Sequence, residues 1–248
     1  MGLLAATVYA IFCIRDLRIQ NMNLKPQDFL VALKLIALGE QHWTYARLAH
    51  ELGLSASEAH AAVQRGLSAG LLADAAIARA YSAAKPPDAL AAREPRARSF
   101  AAQASAQPKL AEARTNLDSA AVVNRHNLAE FALHGAKYAF APERLPAGPG
   151  VPTSHSAPTF AGVFAPGHEP LVWPDAHGTV RGEGLLPLHP CVPGAALRDA
   201  TLYELLALFD ALRAGRARER GMASTRLQKL IDPAPAGAAN KAASKRRA

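Results

Sequence analysis

The sequence predicts a mainly α protein of the α+β class, and three observations lead to this prediction. Apolar residues recur at helical steps of three and four across residues 26–69 and again across 199–212. Capping residues and glycines bound these stretches, as they do at helix ends. Apolar pairs at 71–72 and 122–123 are long enough only for a small two-stranded hairpin. Helices therefore form most of the predicted core, and strands add little to it.

The first two helices are predicted from their ends. Pro26 stands where a proline begins a helix, and Gly39 stands where a helix ends. Thr44 is a capping residue for a second helix, which Gly53 closes. The apolar stripe of the first helix consists of Phe29, Leu30, Leu33, Ile36 and Ala37, and that of the second consists of Tyr45, Leu48, Ala49 and Leu52. Both helices are expected to pack one face on a shared core.

A third helix is predicted over about residues 56–69. Ser55 and Glu58 have the spacing of a capping box, in which each side chain bonds the backbone N–H of the other residue. Gly70 then stops the helix. The three short helices follow one another with tight turns, which is the arrangement of a helix-turn-helix unit.

The turn between the second and third helices has the residues that a helix-turn-helix requires. Ala49 lies where the third helix must approach, Gly53 favours the positive φ of the turn, and Leu54 fills the core between the helices. The segment LAHELGLSASEAHAAVQRGLSAGLL, residues 48–72, resembles the winged motif of the MarR and IclR families of bacterial regulators. The resemblance implies a transcription regulator that binds duplex DNA sequence-specifically and occupies an operator.

In such a fold the third helix enters the major groove, and its periodicity determines which side chains face outward. Gln64 carries an amide that suits adenine, and Arg65 suits guanine or a phosphate. The predicted DNA-binding set is Ser57, His60, Ala61, Gln64, Ser68 and, beside them, Arg65, whereas Ala59, Val63, Gly66 and Leu67 are expected to face the core. The alternative is that this face is solvated and that the winged helix is a scaffold for binding protein, as in an antitoxin or adaptor.

The wing is predicted as a hairpin that follows the third helix. Leu71 and Leu72 supply one strand, and Val122 and Val123 supply the other. The intervening insertion, at about 73–119, is rich in Ala, Arg, Pro and Ser and is expected to be poorly ordered. Its arginines, Arg79, Arg93, Arg96, Arg98 and Arg114, either follow DNA phosphates or touch nothing.

The C-terminal half has its own resemblance. Its segments NLAEFALHGAKYAFAPE, GVPTSHSAP, VWPDAHGTVRG and LRDATLYELLALFDALRAGRARER resemble an uncharacterised bacterial family that pairs this region with an N-terminal winged helix. That resemblance implies a transcription regulator, sometimes associated with toxin–antitoxin systems. A helix is predicted at about 127–138, and irregular packed segments, with or without short strands, at 141–193. Another helix is predicted from Asp199 to Arg213, and its apolar stripe suits either its own core or a twofold partner. Arg213, Arg216, Arg218 and Arg220 either bind phosphate or acidic groups or form a solvated helix end.

Four predicted regions follow from these patterns. They are an apolar N-terminal extension at 1–21, a winged helix-turn-helix at 22–124 with its insertion, a helical C-terminal domain at 125–231, and a disordered basic tail at 232–248. The extension is too short to cross a bilayer, which takes about 20 apolar residues, and lacks the features of a secretory signal. A start at Met22 is the alternative for that end of the chain.

Enzyme and metal chemistry are not predicted. Cys-x-x-Cys, His-Glu-x-x-His, G-x-G-x-x-G and phosphate-loop patterns do not occur, and the G-x-S-x-G match at residues 66–70 ends a predicted helix instead of forming the strand-to-helix elbow of a nucleophilic serine. His155, His168, His177, His189 and Cys191 lie in the Pro/Gly-rich segment with no zinc spacing; of these, His189 and Cys191 are the best ligands for a site built by the fold. We therefore expect no catalytic residues, no metal and no cofactor.

Charge and cysteine content complete the prediction. The formal net charge of +8 favours contact with a polyanion, although much of it lies in the tail. Two separated cysteines, Cys13 and Cys191, form no disulfide framework and suit a reducing cytoplasm. The expected partners are double-stranded DNA, a second copy of the chain in a homodimer, and a protein partner encoded nearby, with no membrane.

Overall fold

The computed structural model describes residues 24–75, 121–163 and 169–233. They form a mixed structure of helices and small sheets. The helices are α1 (Pro26–Leu38), α2 (Tyr45–Leu52), α3 (Ala56–Ser68), α4 (Arg125–Glu130), α5 (Ala136–Ala139), α6 (Val192–Arg198), α7 (Ala200–Ala214) and α8 (Ala217–Ile231). The strands are β1 (Leu72–Asp74), β2 (Ala121–Val123), β3 (Arg144–Pro152), β4 (Leu171–Pro174) and β5 (Val180–Leu185).

Helices α1 to α3 begin and end where their local sequence predicts. The Thr44 hydroxyl accepts the backbone N–H of Arg47, and Gly53 takes a left-handed conformation with φ of 73°. The capping box is present: Ser55 Oγ accepts the Glu58 N–H at 3.2 Å, and Glu58 Oε2 accepts the Ser55 N–H at 2.9 Å. Short-range bonding by the predicted residues therefore determines these helix ends.

The two predicted short strands pair. Strands β1 and β2 are antiparallel, with Leu72 opposite Val123 and Asp74 opposite Ala121. The first residues of the predicted insertion, 73 and 74, belong to strand β1. Ala75 is also described and is buried. The insertion beyond Ala75, with its five arginines, lies outside the described residues, as do the N-terminal extension and all but the first two residues of the predicted tail.

A broken helix follows β2 and begins near the predicted position. Asn124 caps α4 by accepting the Asn127 N–H at 3.2 Å. A π-helical segment, Phe131–Gly135, joins α4 to α5, so the predicted helix at 127–138 is present but not uniformly α-helical. Phe131 lies edge-on to Phe29 with ring centroids 5.6 Å apart, which attaches this segment to α1.

The Pro/Gly-rich segment contains a three-stranded sheet, so short strands, which the sequence left open, are present there. Strand β3 pairs antiparallel with both β4 and β5, and β4 pairs parallel with β5, so each strand contacts the other two. The parallel pairing joins Leu171 to Glu183 and Val172 to Gly184. Local periodicity did not define these strands, because Pro or Gly interrupts β3 and β5, β4 is only four residues long, and the pairing partners are distant in sequence.

Gly150 allows the strands of this small sheet to approach closely. A Cβ atom there would lie 2.2 Å from the backbone oxygen of Trp173 and 2.8 Å from Cβ of Val172. Gly148, in the same strand, has nothing within 4 Å of its Cβ position. The two glycines therefore have the same backbone setting and opposite steric surroundings.

Replacing Gly150 with alanine is expected to lower the free energy of unfolding by about 2 kcal/mol, because a backbone oxygen cannot move aside without disturbing the pairing. The matched variant, Gly148→Ala, is expected to change it by less than about 0.5 kcal/mol. Urea denaturation of both variants measures the difference. Equal destabilisation by the two substitutions would contradict the steric explanation.

One hydrophobic core joins the regions on either side of residue 124, where the sequence interpretation placed a domain boundary. This buried cluster runs from Phe29 in α1 through Trp173 in β4 to Ile231 in α8. Phe29 contacts Phe209 of α7 with ring centroids 4.9 Å apart. Helix α7 is therefore the centre of a core that includes α1.

The apolar stripe of α7 is buried in this core. Its residues Leu202, Leu205, Leu206, Phe209 and Leu212 are all buried within the single chain. The Arg213 side chain is only 3% exposed and pairs with Asp210. It is therefore neither at a solvated helix end nor free to bind phosphate. The stripe is therefore not available to a twofold partner.

Candidate nucleic-acid interface

Helix α3 packs against α1, α2 and β1 through the face predicted to be internal. Ala59, Val63 and Gly66 are buried and Leu67 is partly buried, as predicted. Gly66 is required here for contact, since a Cβ atom would lie 2.9 Å from Cδ1 of Leu72. The small residues of α3 therefore bring this helix close to the hairpin strand that follows it.

The predicted DNA-binding residues lie on the accessible side of α3. Ser57, His60 and Ser68 are exposed, and Ala61, Gln64 and Arg65 are partly exposed. These residues follow the opposite phase to the buried set, so the structure brings them to one side of one helix.

The exposed face is ordered by short contacts of its own. Ser68 Oγ donates to the carbonyl of Gln64 at 3.0 Å. The His60 ring lies 5.0 Å from the Tyr45 ring, which in turn lies 5.5 Å from Trp43 in an edge-to-face arrangement. His60 is thus the exposed end of an aromatic row that begins at the nearly buried Trp43.

Arg65 differs from its neighbours because its guanidinium turns toward α1. Its Nε lies 3.0 and 2.8 Å from the two carboxylate oxygens of Asp28, and its Nη2 lies 2.6 Å from Oδ1. Asp28 is fully buried, and Arg65 is 30% exposed. The hydrogen bonds that Arg65 donates to the Asp28 carboxylate raise the pKa of Arg65 above its ordinary value. The sequence predicted that Arg65 contacts guanine or a phosphate and did not predict its ion pair with Asp28.

The N-terminal turn of α3 faces a C-terminal segment. Hydrogen bonds from the Ser55 backbone and hydroxyl lower the pKa of Glu58, and the charge of His189 acts on Glu58 in the same direction. Cβ of Cys191 lies 3.6 Å from the position that a Cβ would take on Gly53. The loop before α6 therefore lies beside the turn that joins α2 and α3.

A buried lysine connects α1 and α2 to α7. Lys34 of α1 is 3% exposed, and its Nζ lies 2.6 Å from Glu51 Oε2 and 2.6 Å from Asp199 Oδ2. Asp199 also caps α7 by accepting the N–H groups of Thr201 and Leu202. Burial by itself would raise the pKa of the Glu51 and Asp199 carboxyls. Hydrogen bonds, including one from Lys34 to each carboxylate, outweigh this effect, so the pKa of each carboxyl is lowered.

Arg198 adds a second connection at the same place. Its Nε and Nη2 donate to the carbonyl of Glu51 at 3.3 and 3.0 Å, where α2 is about to end. A guanidinium satisfies a terminal carbonyl and complements the negative end of the helix dipole. Lys34 and Arg198 together hold the end of α2 against the C-terminal half of the chain.

The best sequence candidates for metal ligands are neighbours in the structure. His189 Nδ1 lies 3.0 Å from Cys191 Sγ. Burial raises the pKa of the Cys191 thiol to about 11, so the thiol is protonated at neutral pH. Within the described ranges no group of three or more His, Cys, Asp or Glu side chains is placed to hold a metal ion.

The sequence did not predict two contacts of this region. They are the ion pair of Asp28 with Arg65 and the ion pair of Lys34 with Glu51 of α2. One signal was available for both. Asp28 and Lys34 lie inside a strongly apolar helix, at 26–38. Buried charges need partners, so these two residues required an oppositely charged group from another element, although the sequence did not say which.

Comparison of the chain with protein-family models, curated proteins and solved structures found no significant match. Among the described residues, every helix is too short or too polar to cross a bilayer.

Proposed function

We propose that this protein binds duplex DNA in the manner of a winged helix-turn-helix regulator, with α3 in the major groove. The observation that carries the proposal is the accessible face of α3. Ser57, His60, Gln64 and Ser68 offer small or polar side chains there, on a helix whose other face is packed. The antiparallel pair β1–β2 follows α3 and corresponds to the proposed wing.

The chemistry of this face suits base edges better than phosphates. A Gln amide forms two hydrogen bonds with adenine, and Ser hydroxyls donate to or accept from several bases. Arg65 contributes little to phosphate attraction because Asp28 neutralises it at close range. Phosphate contacts are then expected from other cationic groups of this basic chain, and base contacts from Gln64 and its neighbours.

Selection from a random duplex pool tests the proposal without knowledge of the operator. The full chain is expected to enrich one family of sequences, and its affinity for the enriched duplex is expected to fall steeply with salt as counterions are released. Failure to enrich any family over successive rounds would overturn the proposal.

The Gln64→Ala variant identifies the reading residue. It is expected to weaken binding to the enriched duplex by about 5- to 100-fold, the effect of losing a bidentate base contact. Binding to a scrambled duplex is expected to change less than about twofold, since non-specific binding depends on phosphates. The control is Gln228→Ala in α8, where an equal loss would show that Gln64 is not the reader. Fluorescence anisotropy measures the affinity of each of the three proteins for both duplexes.

A second candidate, a protein-interaction module of the antitoxin or adaptor kind, has one observation in its favour. A cleft of about 280 Å³ lies between the α1–α2 loop and β2, with Leu35, Trp43, Val122 and Arg125 among its lining residues. Val122 is 39% exposed there. A stoichiometric protein complex that is weakened by Val122→Asp and unaffected by Gln64→Ala would favour this candidate over DNA binding.

The proposed regulator is expected to act in the cytoplasm as a homodimer, because operators read by such proteins have twofold symmetry. Since the stripe of α7 is buried in its own chain, the dimer contact is expected to involve another surface.

A further inference from the structure

We infer that Arg65 is a positioning residue of the DNA-reading surface: its ion pair with Asp28 sets the rotation of α3 about its axis and thereby the direction of Gln64. This inference rests on the proposed function. It assigns to Arg65 a role that differs from contact with a base or a phosphate.

The geometry of the pair restrains rotation. Two guanidinium nitrogens reach both carboxylate oxygens through contacts of 2.6 to 3.0 Å. A single hydrogen bond leaves the donor able to pivot, whereas a forked contact fixes two planar groups relative to each other. Lysine has no such fork and cannot reproduce the restraint.

The acceptor is itself immobile. Asp28 is fully buried in α1, and its Oδ2 also accepts the backbone N–H of Lys25 at 2.8 Å. This second bond belongs to the N-terminal cap of α1. Arg65 is therefore held by a carboxylate whose position is determined by the core, so the restraint passes from the core to α3.

The restraint matters because base reading tolerates little displacement. Side-chain atoms about 6 Å from a helix axis move by about 2 Å when the helix turns by about 20°. Hydrogen bonds weaken steeply over such a shift, and functional groups must be held within about 0.5 Å of their working geometry. Gln64 precedes Arg65 directly, so it moves with any rotation that the ion pair permits.

The Asp28→Asn variant separates positioning from direct contact, because it leaves Arg65 in place and frees it. Affinities for the enriched and scrambled duplexes are measured at two salt concentrations, well below the melting temperature. Positioning predicts that the ratio of the affinity for the enriched duplex to that for the scrambled duplex falls about tenfold at both salt concentrations, the loss of one well-formed base contact. A purely structural role would reduce the active fraction for both duplexes equally and leave the ratio unchanged.

Two further variants complete the experiment. Arg65→Lys keeps the charge and loses the fork, so it is expected to lower the ratio as Asp28→Asn does. Arg226→Gln breaks an exposed ion pair with Glu204 in the C-terminal helices and is expected to leave the ratio unchanged. The inference is overturned if Asp28→Asn has the wild-type ratio of the two affinities. A wild-type ratio for Arg65→Lys as well would strengthen that conclusion.

Hydrogen exchange of the free protein separates this inference from the proposed function. Peptides covering residues 56–68 are expected to exchange faster in Asp28→Asn than in Arg226→Gln. If the wild-type protein enriches no DNA, the proposed function fails and exchange alone tests the restraint on α3. Unchanged exchange in that region would overturn the restraint itself.

Discussion

Replacing Asp210 with alanine is expected to lower the free energy of unfolding by about 4 kcal/mol, the range found when a buried ion pair loses one partner. The side chain is 2% exposed, and three groups depend on it. Its Oδ2 accepts hydrogen bonds from Trp173 Nε1 at 2.6 Å and from Thr153 Oγ1 at 2.8 Å. Its Oδ1 accepts a hydrogen bond from Arg213 Nε at 2.7 Å. Alanine would leave a buried cation and two buried donors without their acceptor.

Glu204→Ala is the matched control because Glu204 lies on the same helix and also pairs with an arginine. That pair is more exposed, with Arg226 at 49% and Glu204 at 25%. Exposed ion pairs contribute about 0–1 kcal/mol, so this variant should unfold close to wild type. Urea denaturation gives both values. A loss of less than about 1 kcal/mol for Asp210→Ala would mean that the network is not a main stabilising feature of the core.

Replacing Lys34 with methionine is expected to lower the free energy of unfolding by about 3 kcal/mol, because Glu51 and Asp199 would then face each other with no cation between them. The effect is somewhat smaller than for Asp210 since these carboxylates remain 27% and 19% exposed. Arg47→Met provides the control, because Arg47 pairs with the same Glu51 but is 37% exposed. Its loss is expected to cost at most about 1 kcal/mol.

The Lys34 contacts also predict a pH dependence. Folding lowers the pKa of both carboxyls, so protons bind the unfolded chain more readily. Their stabilising contribution is therefore complete above the unfolded pKa values of about 4.3 and 3.9, and it is lost as pH falls through the lower folded values. Lys34→Met should make the decline in stability between about pH 5 and 3 shallower. An unchanged decline would show that other carboxyls cause it.

Lys34 also has a consequence for how the molecule unfolds. It connects α1, α2 and the cap of α7, and the same elements share one hydrophobic core. Helices α1 to α3 and the C-terminal half should therefore unfold in one transition. The sequence suggests two domains because the composition changes along the chain. The buried cluster, however, includes residues from both sides of residue 124.

The sequence predicted those features whose causes are local. Helices α1 to α3 end where Thr44, Gly53 and the Ser55–Glu58 pair act on neighbouring backbone groups. The pairing of β1 with β2 was also predictable, because each strand adjoins a predicted helix and is apolar. Periodicity alone was sufficient to place Ser57, His60 and Ser68 on an exposed face.

Features that depend on distant partners were not predictable in the same way. The three-stranded sheet requires pairings between residues that are far apart in sequence, and its Gly-rich strands have no alternating pattern. Arg65 lies at the edge of the outward face, so periodicity left it free to point toward DNA or toward α1. The buried carboxylate of Asp28, 37 residues earlier, decides between these directions.

Photo-crosslinking from the proposed reading face tests the central claim most directly. A photoreactive residue is placed at position 60, which is exposed on α3, and in a separate variant at position 222, which is exposed on α8. Each protein is irradiated with the enriched duplex. The account predicts a protein–DNA adduct from position 60 and none from position 222. An adduct from position 222 alone, or none from position 60 under conditions in which the duplex is bound, would contradict recognition of DNA by α3.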